Sequence, residues 1–143
     1  MRYSSAKLGR ALVIRLEDGD VVHECIEEAA RAEGIARAAQ QDDGGSRLVV
    51  GPEDGRADPI VPMERALHDV HEMVGAGTLF PDETGRPVLH LHAAFGRDDR
   101  VSAGCIRAGV TTWVVGEAVL IELTDSEATR RVDPATGLEL LDV

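Results

Sequence analysis

The chain has few aromatic residues: two phenylalanines, one tyrosine and one tryptophan make up 3% of its 143 residues. Its core must therefore come from Val, Leu, Ile and Ala. Cysteine is also scarce, and Cys25 and Cys105 allow at most one disulfide. Reduced thiols are the expectation for a cytosolic chain of this size. Long apolar runs are missing. The longest, "WVVGEAVLIEL", is too short to span a bilayer and carries a glutamate in its middle. The first residues, "MRYSSAKLGRALVIRLEDGD", lack the apolar region and cleavage site of a secretion signal. A soluble cytoplasmic protein with no membrane partner is expected. Positive charge is short as well, with 15 Lys+Arg against 26 Asp+Glu and a net charge of −11. Phosphate backbones repel such a chain unless its basic residues gather on one face. They do not gather in sequence, which argues against direct nucleic-acid binding.

What is present is an ordinary globular composition, 43% hydrophobic and 29% charged. The length suits one domain over residues 1–143. "RALVIRL" (10–16) is aliphatic and β-branched and reads as a buried strand. Over 21–35, Val22, Cys25, Ile26, Ala29 and Ala30 fall on one helical face. Asp20 is placed to cap this helix and Gly34 to stop it. "IARAAQQ" fits a strand after Gly34, "DDGGS" a turn, "RLVVG" (47–51) a short strand and "PEDGRADPIVP" a loop. "MERALHDVHEMVGAG" fits both helical spacing and strand alternation, and "TLF" enters a hairpin turn at "PDETGRP". Strands follow at 88–95, 101–108 and 112–123, the last apolar enough to be buried on both faces. "DPATGLE" turns the chain into a last strand, "LELLDV". The sum is an α+β domain, mainly antiparallel sheet with one or two helices.

The stretch "VLHLHAAFGRDDRVSAGCIRAG" (88–109) carries the most chemistry. With Asp98 and Asp99 at the centre of the turn, an antiparallel hairpin pairs Gly96 with Val101, Ala94 with Ala103, His92 with Cys105 and His90 with Arg107. Residues two apart on a strand share a face, and so do directly opposed residues. His90, His92 and Cys105 then project from one side, while Leu91, Ile106 and Phe95 supply the core side. An odd-numbered loop would put the thiol on the wrong face. Two imidazoles and a thiolate suit zinc or another late divalent metal, and three protein ligands leave a fourth position for water or substrate. The plainer alternative is that the histidines mark a half-exposed strand and Cys105 is a small buried hydrophobe.

Glu117 is the only charged group from Thr111 to Ile121. A buried carboxylate must find a partner or stay protonated. It is a candidate catalytic base or partner to the histidines, or else a structural carboxylate bonded to backbone or to an arginine such as Arg107, within the chain or across a subunit boundary. His68 and His71 could add a ligand, though solvated surface histidines are commoner. His23 takes no assigned role. Gly75 and Gly77 mark a turn or bulge rather than a nucleotide loop.

Taken together, "GDVVHECIEEAARAEGI", "VHEMVGAGTLF", "GRPVLHLHAAFG", "VSAGCIRAG", "GEAVLIEL" and "DPATGLELL" resemble the plant and prokaryote conserved (PPC) domain family along nearly the whole chain. That family is also labelled a DNA-binding protein with a PD1-like motif. The resemblance implies a homotrimer of α+β domains with a His-lined cluster, able to hold a divalent metal, near the subunit interface. His90 and His92 carry over directly. Family members usually have Gly-Gly-His where this chain has Ala103-Gly104-Cys105, so Cys105 carries over by position, and Glu117 matches the family's glutamate in the following strand. "TGRP" (84–87) keeps only the tail of the Arg-Gly-Arg-Pro minor-groove hook of plant members and lacks its basic flanks. Three functions are expected from this. The first is a metal-binding trimer of unassigned activity with a small-molecule ligand; any catalysis would be metal-assisted hydrolysis or hydration. The second is a DNA-binding or regulatory protein, and the third an interaction trimer without metal.

Overall fold

A computed structural model describes residues 1–35, 46–55 and 59–143. The elements run β1 (Lys7–Glu17), α1 (Val22–Ala32), β2 (Arg47–Pro52), β3 (Pro62–Ala66), β4 (Glu72–Pro81), β5 (Pro87–Arg97), β6 (Arg100–Ala108), β7 (Val115–Thr124), β8 (Thr129–Val132) and β9 (Glu139–Asp142). All strand ladders are antiparallel. Five strands form the main sheet in the order β3-β2-β6-β5-β4, β1 pairs with β7, and β8 pairs with β9. This is the α+β domain expected, with one helix among the described residues.

The core forms between α1 and one face of the main sheet. Val22, Ile26 and Ala30 are buried on the helix. They share the interior with Leu48 of β2, Leu91, Ala93 and Phe95 of β5, Ile106 of β6, and Leu16 and Val110. Alternation along β5 follows the two-residue period of a pleated strand, so its other face is free to carry polar groups.

The helix ends as its sequence suggests. Gly34 adopts φ +74°, its N–H bonds the Arg31 carbonyl, and the Ile35 N–H bonds the Ala30 carbonyl at 2.7 Å. These paired bonds close a helix on a left-handed residue, a conformation glycine adopts without a Cβ clash. The start differs from expectation. Val21 occupies the cap position with no side-chain cap bond, while the Asp20 carboxylate accepts from the Glu17 N–H instead. The Val22 N–H is taken by the Val110 carbonyl at 2.9 Å, so a backbone partner from a distant segment replaces the side-chain cap.

Three further differences bear on the site. The ambiguous segment from Met63 to Gly77 is strand on both sides of Leu67–His71, because β3 and β4 are edge strands whose pairing outweighs the helical spacing. The expected strand over 35–41 lies almost wholly outside the described residues, as does most of the turn at 42–46. The segment over 112–123, expected to be buried on both faces, alternates. Ala118 packs on the core, while Val115, Glu117, Val119, Ile121 and Leu123 are exposed in the single chain. The β1-β7 ribbon has the core beneath one face, and among the described residues nothing covers the other. β8, not expected from sequence, follows it.

Candidate metal centre

The hairpin of β5 and β6 turns at Asp98 and Asp99, with Asp98 at φ +52°. Its register runs from Arg97 opposite Arg100, through Gly96 with Val101, Phe95 with Ser102 and Ala94 with Ala103, to His92 with Cys105. The expected pairing therefore holds as far as the ladder is recorded. The even-numbered turn keeps Cys105 on the face of the histidines.

That face brings the three residues together. One ring nitrogen of each of His90 and His92 and the Cys105 sulfur all lie within 4.8 Å of one another. The imidazoles stack at a centroid separation of 5.0 Å, and their Nε2 atoms are 3.0 Å apart. At that distance one ring carries the proton and donates it to the other. Cys105 is 5% exposed, covered by β2, where Val49 is its cross-strand neighbour. Its Sγ lies 3.7 Å from the Ile106 carbonyl oxygen. His90 is half-buried and His92 exposed, so the group grades from the sheet interior to the open side.

Tetrahedral zinc with two imidazoles and a thiolate needs N···N near about 3.3 Å and N···S near about 3.6 Å. The histidines are almost there, and the sulfur needs at most about 1.2 Å of approach, within reach of side-chain rotation. The donor set and its spacing fit a divalent ion of the zinc type. Beside His92 a cleft of about 580 Å³ opens between β2, β5, β6 and the edge strand β4, lined by Val49, Val74, Ala76, Ala94 and Ala103 among others.

Two glycines hold the histidine strand in place. Gly77 of β4 faces Leu91 in the ladder, and a Cβ at Gly77 would lie 2.5 Å from the His90 carbonyl oxygen. A Cβ at Gly75 would lie 2.9 Å from that of His92. What reads in sequence as a turn or bulge is a close approach of two backbones, for which glycine is required.

The other candidates stand apart. Glu117 projects from the exposed face of β7 opposite Arg15, outside the three-residue group. His71 lies edge-on to Phe95, a core-side residue of β5, with ring centroids 6.5 Å apart. His68 is exposed and also outside the group. His23, given no role, sits 4.0 Å from the Glu24 carboxylate. Two residues sequence reasoning missed belong to the site's surroundings. Thr78 faces His90 in the β4–β5 ladder, and Arg130 of β8 donates from Nη2 to the Thr78 hydroxyl at 2.8 Å. Neither carries a local motif. The bond depends on β8 arriving beside the end of β4, where Asp82 and Arg130 form a parallel bridge.

The model of the Plants and Prokaryotes Conserved (PCC) domain family matches residues 3–124. Among solved structures, a metal-containing protein from Archaeoglobus fulgidus is similar at 21% identity and TM-score 0.75, covering 98% of each chain. A plant- and prokaryote-conserved protein from Pyrococcus horikoshii is similar at 19% identity and TM-score 0.75, covering 100% of this chain and 98% of the other. A structure described as a "Putative DNA-binding protein" from Ralstonia eutropha shares 19% identity at TM-score 0.63, over 92% of this chain and 90% of its own. No curated protein matches. At these identities the structures establish the fold.

Proposed function

The chain belongs to the Plants and Prokaryotes Conserved domain family, and we propose that it is a homotrimeric protein binding one divalent metal per chain through His90, His92 and Cys105. The observation that carries this is the convergence of two imidazole nitrogens and a thiol within 4.8 Å on one sheet face. The Archaeoglobus structure, described as metal-containing, supports the same reading. Zinc fits the donor set best. When bound, such an ion supplies Lewis acidity toward a water or a carbonyl, which makes hydrolysis or hydration of a small molecule the fitting chemistry.

The chain's own residues set the terms. His90, His92 and Cys105 supply three donors and leave an open side toward the cleft. The trimer is supported by the outer face of the β1-β7 ribbon, where Val13 pairs with Val119, Ala11 with Ile121 and Leu8 with Leu123, all exposed. A contiguous apolar face of this kind on a small domain marks an interface. Glu117 lies on that same face. It enters the proposal as a proton acceptor presented to a neighbouring copy's site.

Metal analysis tests the centre. The purified protein is expected to hold close to one zinc per chain, and His92→Ala or Cys105→Ser to lose most of it while keeping its circular dichroism spectrum. Full metal content in both variants overturns the reading. The DNA-binding description of the Ralstonia structure is the competing one. The net charge of −11 stands against it. Sub-micromolar, strongly salt-dependent affinity for random duplex would reverse that ranking.

No helix among the described residues is long and apolar enough to cross a membrane.

A further inference from the structure

Arg130 is 5% exposed, and its Nε is buried without a hydrogen-bond partner among the described residues. Its Nη2 is held by the Thr78 hydroxyl at 2.8 Å, and it enters no ion pair among the described residues. Burial pushes its pKa down from the ordinary arginine value, opposed by the negative charge of Glu139. Guanidinium is nonetheless charged at any working pH. A buried cation needs a counter-charge or full hydrogen bonding, and among the described residues no carboxylate forms an ion pair with this one and its Nε is unbonded.

Its position says what the counter-charge is for. Thr78 faces His90 across the β4–β5 ladder, so the hydroxyl that holds the guanidinium lies on the sheet face of the three donors. Thr78 occupies one of five N–H donors and leaves the Nε edge without a partner. That edge is the planar fork that matches a carboxylate or phosphate with two parallel bonds.

We propose that Arg130, positioned by Thr78, is the anion-recognising group of this site, so that the molecule held beside His90, His92 and Cys105 carries a carboxylate or a phosphate. The proposal deepens the metal-centre reading and rests on it only for what lies next to the anion.

The test titrates inorganic phosphate and, separately, acetate into the full-length protein by calorimetry, with zinc content measured on each sample. Wild type, Arg130→Gln, Arg130→Lys and Thr78→Val are compared. Wild type is expected to bind at least one anion. Arg130→Gln should weaken it by about tenfold or more, with a smaller loss in Arg130→Lys and a loss of about two- to fivefold in Thr78→Val. Phosphate binding alone identifies a phosphorylated ligand, and acetate binding a carboxylic acid. Arg130→Lys and Thr78→Val keep the buried charge and serve if Arg130→Gln fails to fold. Equal affinity in wild type and the Arg130 variants, no binding of either anion by wild type, or loss of zinc from Arg130→Lys would each overturn it. Arg130-dependent anion binding in a wild type that holds no zinc would sink the metal reading alone and leave this one standing.

Discussion

Replacing Gly104 by alanine tests the link between strand packing and the metal centre. A methyl group on Gly104 would lie 2.6 Å from the Val49 carbonyl oxygen and 3.1 Å from the carbonyl carbon, both backbone atoms of β2. Backbone cannot rotate aside, so β6 and β2 must part by about half an ångström. The next residue is Cys105, whose cross-strand neighbour is Val49 itself. Metal–ligand distances tolerate only about 0.2 Å, so the displacement reaches the sulfur's position as well as the fold. Overpacking of this kind costs about 1–3 kcal/mol. For a chain of this size that lowers the melting temperature by about 3–12 °C. The control is Gly96→Ala in the same hairpin, where nothing lies within 4 Å of the added methyl group. There the loss of unfolded-chain freedom should leave stability unchanged or raised by about 0.4–1 kcal/mol. Thermal unfolding by circular dichroism and zinc content of the two variants decide the matter. If Gly104→Ala melts within about 1 °C of Gly96→Ala and keeps its full zinc, the close approach does not position the thiol and the reasoning fails.

Asp82 organises the turn before β5, accepting from the Thr84 N–H at 2.8 Å, the Thr84 hydroxyl at 2.6 Å, the Arg86 N–H at 3.0 Å and Arg86 Nε at 3.1 Å. The Thr84 hydroxyl is the main reason its carboxyl sits below the ordinary aspartate value. A lowered carboxyl stabilises the fold above its unfolded pKa and ceases to as pH falls through the folded one. Asp82→Ala should cost about 1–3 kcal/mol in urea unfolding near neutral pH, and the gap from wild type should shrink steadily below about pH 4. A gap unchanged in acid would refute that account. On the ribbon's outer face, Ile121→Asp should convert the assembly to single chains of 15.3 kDa by light scattering with the domain still folded. A wild type that already runs as one chain removes the trimer from the proposal.

Much of the site was legible in the residues. Strand side chains alternate with a period of two, and an even turn at Asp98-Asp99 leaves little freedom in register. His92 and Cys105 could therefore be paired before any coordinates. Helix α1 was equally plain, because its apolar spacing and Gly34 point the same way. The glycines at 75 and 77 were visible but not their purpose, since a close approach needs the second strand to be seen. Asp20 shows the converse. A residue suited to capping was used elsewhere once Val110 supplied a backbone acceptor to the helix start.

Local pattern alone determined the core face of β5, the helix, and the common side of His90, His92 and Cys105, because each depends on neighbours within one hairpin or one helical turn. Only the tertiary structure decided that Glu117 stands on an outer face and that Arg130 arrives over Thr78. Both outcomes depend on which separate sheets lie against one another. That arrangement is set by burial summed over the whole chain, and no short stretch of residues encodes it.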